Sequence, residues 1–216
     1  MVREGYWYGL PLVLISGGLV GFWLRERGPL LLVCAIFFLA LACLLLNFFR
    51  DPERKIPSQA EAIVSPADGR IVQVAQESYE GRPVCRVSIF MSPLDVHVNR
   101  APIAGIIKEV AYHKGAFGFA SREAASAKNE QNVFTLEGEQ GRIVVKQIAG
   151  ILARRIVFWK RPGDSLARGE RVGLIKFGSR VDVLMDPDVA LSMKIGDHVR
   201  AGSSILGTRR IQSETR

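Results

Sequence analysis

Cysteine is scarce in this chain, and its scatter excludes two architectures. Only three cysteines occur in 216 residues. Cys34 and Cys43 lie inside an apolar tract, and Cys85 sits in an alternating stretch. No Cys-x-x-Cys pair is present, so neither a disulfide scaffold nor a zinc site is indicated. Burial as small hydrophobes fits all three. Histidine is equally sparse. His97, His113 and His198 have no metal-ligand spacing, and no metal is expected. The chain also lacks a dinucleotide-binding or P-loop glycine pattern. It has no zinc-finger or RNA-binding signature, so its net charge of +8 does not point to nucleic acid. A basic balance suits anionic lipid headgroups equally well.

What the chain has in quantity is apolar sequence, 48% overall and unevenly placed. Gly9 to Leu24 is apolar with scattered glycines, Arg25-Glu26-Arg27-Gly28-Pro29 interrupts it, and Leu30 to Phe49 is almost wholly apolar. About 20 helical residues span a bilayer core. The second run therefore reads as a spanning helix, and the first completes a hairpin. Residues 1–49 are expected to be a helical membrane anchor. Tyr6, Trp7, Tyr8, Trp23, Phe48 and Phe49 sit where interface aromatics sit, although helix packing explains them as well. The second apolar run and the missing small-residue cleavage site argue against a removable signal peptide. Arg50, Arg54 and Lys55 favour a cytoplasmic main domain at the cell membrane, against the counterweight of Arg25 and Arg27. Residues 50–57, with two prolines and no periodicity, read as a linker.

Residues 58–216 read as one strand-rich domain. Strand patterns fit 70–74, 84–90, 133–136, 142–147, 156–159, 172–177, 180–185 and 203–207. Two short strands turning near Ala104-Gly105 fit 101–112. Asp68-Gly69, Gly81, Pro162-Gly163-Asp164 and Gly169 mark turns. Residues 113–132 read as a loop or lid with at most one helical turn. Many short strands with Gly-rich turns predict a mostly β fold, a β-sandwich or flattened barrel behind the anchor.

Chemistry has few places to sit. Gly178-Ser179 lies between an apolar run and an alternating strand, and taken alone it is a turn. Ser203 and Ser204, after Gly202, compete with it. Asp68 fits an Asx-type turn, or a carboxylate working with His97 and Ser179 to activate a hydroxyl. His113 opens the flexible stretch, and His198 in its Gly196-Asp197 turn suits a solvated position. Met193-Lys194 brings a biotinyl or lipoyl carrier to mind, but the Gly-rich segment follows the lysine, which is the wrong order.

The ordered set of motifs is more specific than any one of them. Asn47-Phe48-Phe49-Arg50-Asp51-Pro52, Ser65-Pro66-Ala67-Asp68-Gly69, Met91-Ser92-Pro93-Leu94-Asp95-Val96-His97, Tyr112-His113-Lys114-Gly115, Lys128-Asn129-Glu130-Gln131-Asn132 and Phe177-Gly178-Ser179-Arg180-Val181-Asp182 occur in this order. In this the chain resembles the phosphatidylserine decarboxylase proenzymes of the short, membrane-associated type.

The resemblance implies a carboxy-lyase that converts phosphatidylserine into phosphatidylethanolamine and CO2. It implies self-cleavage between Gly178 and Ser179, giving a larger chain 1–178 and a smaller chain 179–216 that remain together as a heterodimer. A higher homo-oligomer is left open. It also implies that Ser179 becomes a pyruvoyl group, whose ketone forms a Schiff base with the substrate amine and takes up the electrons released with CO2. Asp68 matches the aspartate of the self-cleavage triad of long-form members. Those members carry two histidines three residues apart. Here His97 matches the first, and Arg100 stands at the second. The processing base is therefore His97 or another residue such as His113. Arg100, His113, Lys114 and Arg180 are candidates to face the lipid phosphate, with solvated surface charge as the alternative. An archaetidylserine-type lipid would undergo the same chemistry. The reading of another class is a noncatalytic, membrane-anchored adaptor or carrier domain.

Overall fold

The computed structural model describes residues 1–115, 129–150, 155–176 and 179–209. It divides into two compact units, Met1–Pro52 and Glu53–Arg216.

The first unit is a pair of helices, α1 (Arg3–Glu26) and α2 (Pro29–Phe48). Arg27 ends α1 in the left-handed conformation, and Pro29 opens α2 at a position where its missing N–H costs nothing. Both helices are long and apolar enough to cross a membrane. They pack through small residues. Ser16 Oγ donates to the Ala35 carbonyl at 2.8 Å, and Gly9 lies so close to Leu46 that a Cβ there would collide with it. Close backbone approach through small residues is how helices associate where lipid removes the hydrophobic drive.

The second unit is mostly β. Its strands are β1 (Ala62–Val64), β2 (Gly69–Tyr79), β3 (Arg82–Met91), β4 (Val98–Arg100), β5 (Gly105–His113), β6 (Gln131–Gly138), β7 (Gly141–Ala149), β8 (Arg155–Phe158), β9 (Ser165–Leu166), β10 (Arg171–Lys176), β11 (Ser179–Met185), β12 (Ala190–Leu191), β13 (His198–Val199) and β14 (Ile205–Thr208). Eight of them form a curled half-barrel in the order β13-β2-β3-β11-β7-β6-β5-β9. Two three-stranded sheets, β1-β14-β12 and β4-β10-β8, accompany it. Alternation fills the interior. Val87, Ile89 and Met91 of β3, Val181 and Val183 of β11, Val145 of β7 and Phe134 and Leu136 of β6 belong to one core. The opposite face of the large sheet carries a small cluster of Val84, Val133, Val144 and Leu184.

Two differences from the sequence reading have physical causes. The stretch 101–112 holds one strand rather than two. Pro102 has no N–H to donate, and β5 starts only at Gly105, where a Cβ would meet the Glu137 carbonyl oxygen at 2.3 Å. The charged stretch read as a linker is fastened to the β unit. The Arg54 side chain pairs with Asp68, Ile56 packs on Gly169 and Gly202, and Arg168 donates to the Pro57 carbonyl at 2.6 Å. The flexible reading of 113–132 falls largely on residues 116–128, outside the described residues. Gln131 and Asn132 already belong to β6.

Candidate active site

Ser179 is the first residue of β11, a strand buried along its whole length. It is clamped on both sides, opposite Met91 of β3 and Ala149 of β7. It shares its face with Val181 and Val183 of the core. The side chain is fully buried, and Oγ donates to Met91 Sδ at 3.4 Å. Gly178, the other half of the expected cleavage site, lies outside the described residues.

The turn that carries Asp68 is built by Ser65, whose Oγ donates to the Ala67 carbonyl at 2.7 Å. Gly69 follows at φ +152°, where a Cβ would stand 2.2 Å from the Phe90 carbonyl oxygen, so the turn can hug β3 only with glycine there. The Asp68 carboxylate accepts from Arg54 with both oxygens, at 2.9 and 2.8 Å, and from the Ala201 N–H at 2.8 Å. Its hydrogen bonds among the described residues therefore run to the chain entry and to the 200–204 turn, not to Ser179. Ser203 and Ser204 lie in that turn, where Ser204 Oγ accepts from the Arg200 N–H at 2.9 Å.

His97 is buried just ahead of β4, and its carbonyl accepts the Ile175 N–H at 3.3 Å. That places it beside β10, four residues before Ser179. Its Nδ1 lies 3.0 Å from the Asp95 carbonyl. A carbonyl only accepts, so Nδ1 carries the proton and Nε2 is the basic nitrogen of the neutral ring. β4 is also joined to the Asp68 turn, because the Arg100 N–H donates to the Pro66 carbonyl at 2.9 Å. Backbone bonds thus join His97 to β10 at Ile175, and the following strand β4 to the Asp68 turn.

The remaining candidates lie elsewhere. Arg100 is buried and donates to the Gly169 carbonyl at 3.0 Å. Arg180 follows Ser179 and so projects to the opposite face of the sheet. It is fully buried there, with Nε 2.6 Å from Asp182 Oδ1 and Nη2 2.7 Å from Ser88 Oγ. Arg86 extends this network to Glu77 at 2.7 Å, and burial lowers the pKa of nearby Lys146 against the opposing pull of Asp182 and Glu77. His113 and Lys114 are exposed at the end of β5, and His113 lines a cavity of about 190 Å³ on that same outer face.

One polar feature was not singled out from the sequence. A chain of buried amides runs through the core side of the sheet. Asn132 Nδ2 donates to Gln147 Oε1 at 2.9 Å, and Gln147 Nε2 donates to Asn99 Oδ1 at 2.8 Å. Asn99 Nδ2 reaches the Pro66 carbonyl at 3.4 Å and Met91 Sδ at 3.8 Å. The chain ends on the same sulfur that receives the Ser179 hydroxyl. One signal was available: Gln147 occupies an inward position of an otherwise apolar alternation, in line with Ile143 and Val145.

Comparison of the chain with known proteins identifies its family. A model of phosphatidylserine decarboxylase covers residues 41–207. The chain belongs to the phosphatidylserine decarboxylase family. It is 50% identical to the phosphatidylserine decarboxylase proenzyme of Solibacter usitatus over 97% of both chains. It is 46% identical to that of Salinibacter ruber, covering 90% of this chain and 87% of the relative. The proenzyme of Desulfotalea psychrophila is 44% identical, covering 81% and 84%. The family match begins at Leu41, inside α2, and ends at Gly207, inside β14, so it takes in the whole site end described above.

Proposed function

We propose that the chain is a self-processing decarboxylase that turns phosphatidylserine into phosphatidylethanolamine and CO2, with a pyruvoyl group made from its own Ser179. The observation that carries the proposal is the position of Ser179. It is a buried hydroxyl at the first residue of a strand held from both sides.

In processing, Ser179 Oγ attacks the Gly178 carbonyl carbon, and the peptide nitrogen leaves as an amine, giving an ester. Loss of the Ser179 Cα proton expels the Gly178 carboxylate and leaves dehydroalanine. Tautomerisation and attack of water then release ammonia. The ladders suit this reaction. β11 stays paired with β3 and β7 after the cut, so residues 179–216 remain docked as the second chain of a heterodimer and the new terminus keeps its place.

A pyruvoyl carbonyl would supply the acceptor that takes up the substrate amine and holds the electron pair released with CO2. We assign to His97, whose Nδ1 faces the Asp95 carbonyl and leaves Nε2 as the basic nitrogen, the proton that replaces the carboxylate. The two apolar helices hold the enzyme to the cell membrane, where the acyl chains of the substrate stay. Arg50 and Lys55 at the membrane exit support a cytoplasmic β unit.

Intact-mass measurement of natively expressed protein tests the reading. Wild type should appear as residues 1–178 and a shorter chain blocked by pyruvoyl at 179. Ser179→Ala should remain one inactive chain, whereas Ser203→Ala and Ser204→Ala should still be cut. An uncut wild type would sink the proposal.

A further inference from the structure

Two loop tips stand next to each other at the Ser179 end of the sheet. The first, Ser92-Pro93-Leu94-Asp95, directly follows Met91, the strand partner of Ser179. The second, Lys194-Ile195-Gly196-Asp197, precedes β13, which pairs with the start of β2. Each tip carries one large exposed hydrophobe, Leu94 at 67% and Ile195 at 59%. Neither tip is a loose end. His198 Nε2 lies 3.1 Å from Asp95 Oδ1 and ties one to the other. Arg70 donates to the Gly196 carbonyl at 3.1 Å, and the Gly196 N–H donates to the Ile71 carbonyl at 2.8 Å.

The charges around the tips are sorted. Arg70, Lys194 and Arg200 are exposed. The two acids are engaged with the loops themselves. Asp95 Oδ2 accepts the Ser92 N–H at 2.8 Å, and Asp197 Oδ2 accepts the Lys194 N–H at 3.0 Å. Three cationic side chains against two carboxylates leave the surround of the tips net positive by one, with two apolar side chains at its centre.

A rigid pair of apolar tips ringed by cations matches an anionic bilayer surface, where hydrocarbon lies under a negative headgroup layer. We propose that the Leu94 and Ile195 tips form a membrane-docking surface that inserts into anionic lipid and sets the Ser179 end against the headgroups. This deepens the reading of the chain as a lipid decarboxylase and rests on it. The wedge would let a headgroup pass from the bilayer to the site without the whole lipid entering water.

Two arms test it on the full-length protein in nanodiscs containing phosphatidylserine. In the first, a photo-crosslinking benzoylphenylalanine is placed at position 195, and irradiated adducts are identified by mass. Lipid adducts are expected. A crosslink to a second copy, or no adduct, would overturn the proposal. In the second, Leu94→Asp/Ile195→Asp is assayed against bilayer phosphatidylserine and against a water-soluble dibutyryl analogue. Removing two inserted apolar groups should lower turnover of the bilayer substrate at least about tenfold and leave the soluble substrate within about twofold. Equal loss on both substrates, or on neither, would overturn it. If wild type acts on neither substrate, the decarboxylase reading fails, while the crosslinking arm still decides whether the tips meet lipid.

Discussion

The Ser179 hydroxyl is held by the thioether of Met91, 3.4 Å away across the β11–β3 ladder. Sulfur is a weak acceptor, so it orients the hydroxyl without binding its proton strongly. The nucleophile of the proposed cut is thus parked in a fully buried position, where no strong acceptor competes with a base for its proton.

Met91→Leu separates orientation from packing. The swap nearly conserves volume and should cost less than about 1.5 kcal/mol of stability. It removes the acceptor shared by Ser179 and Asn99. Losing a neutral hydrogen bond of about 0.5–1.5 kcal/mol should slow self-cleavage roughly two- to tenfold. A time course of chain appearance during cell-free synthesis measures this. A normal rate in a normally stable variant would show that the sulfur does not orient the hydroxyl.

Asp68→Ala should act through stability. It strands Arg54, whose side chain is only 8% exposed, and frees the Ala201 N–H. Breaking a buried pair from one side costs about 3–5 kcal/mol. Denaturant unfolding should register that loss, and proteolysis should begin between residues 53 and 57. If Asp68 instead serves only in processing, the variant will keep wild-type stability and stay uncut.

His97→Ala bears on turnover. The protein should still fold and cleave, but decarboxylation should fall on the order of 10²–10⁴-fold, the usual worth of a positioned proton carrier. A processed variant with wild-type turnover would remove His97 from the mechanism.

Much of this was legible in the sequence because alternation with Gly-punctuated turns is a local signal. The strands at 84–90 and 180–185 were read within two residues of β3 and β11 at each end. What was not legible depends on partners distant in the chain. Arg54 looked like a membrane-exit charge until the fold set it against Asp68. Arg180 looked like a phosphate ligand, but parity turns it away from Ser179 and Asp182 binds it two residues on. Asn99 and Gln147 are separated by 48 residues, so no spacing announces their bond.

Alkaline pH should expose the tie between β5 and the segment leading into β6. Tyr112 donates to Glu130, and burial followed by that bond pushes its hydroxyl up from 10.0 to about 12. A raised pKa favours the neutral form in the folded state. Its contribution is therefore complete below pH 10 and is lost as pH rises from about 10 to about 12. Tyr112→Phe should flatten the fall in stability across that window. Tyrosinate absorbance should show one group fewer titrating late. An unchanged profile would mean that the bond does not persist in solution.

Gln147→Leu tests whether the amide chain belongs to the site or only to the core. The leucine fits an inward position between apolar neighbours, but it leaves Asn99 Oδ1 and Asn132 Nδ2 without their shared partner. Each stranded buried group costs about 1–3 kcal/mol. A purely structural role predicts lower stability with normal processing once the protein is folded. A positioning role predicts more. With Asn99 no longer held, its amide would shift against Met91 and disturb the hydroxyl that the sulfur orients. Self-cleavage should then slow even in the folded variant, and Gln147→Glu, which keeps an acceptor for Asn132 but no donor for Asn99, should recover only part of the rate. A folded Gln147→Leu protein that cleaves at the wild-type rate would confine the chain to packing.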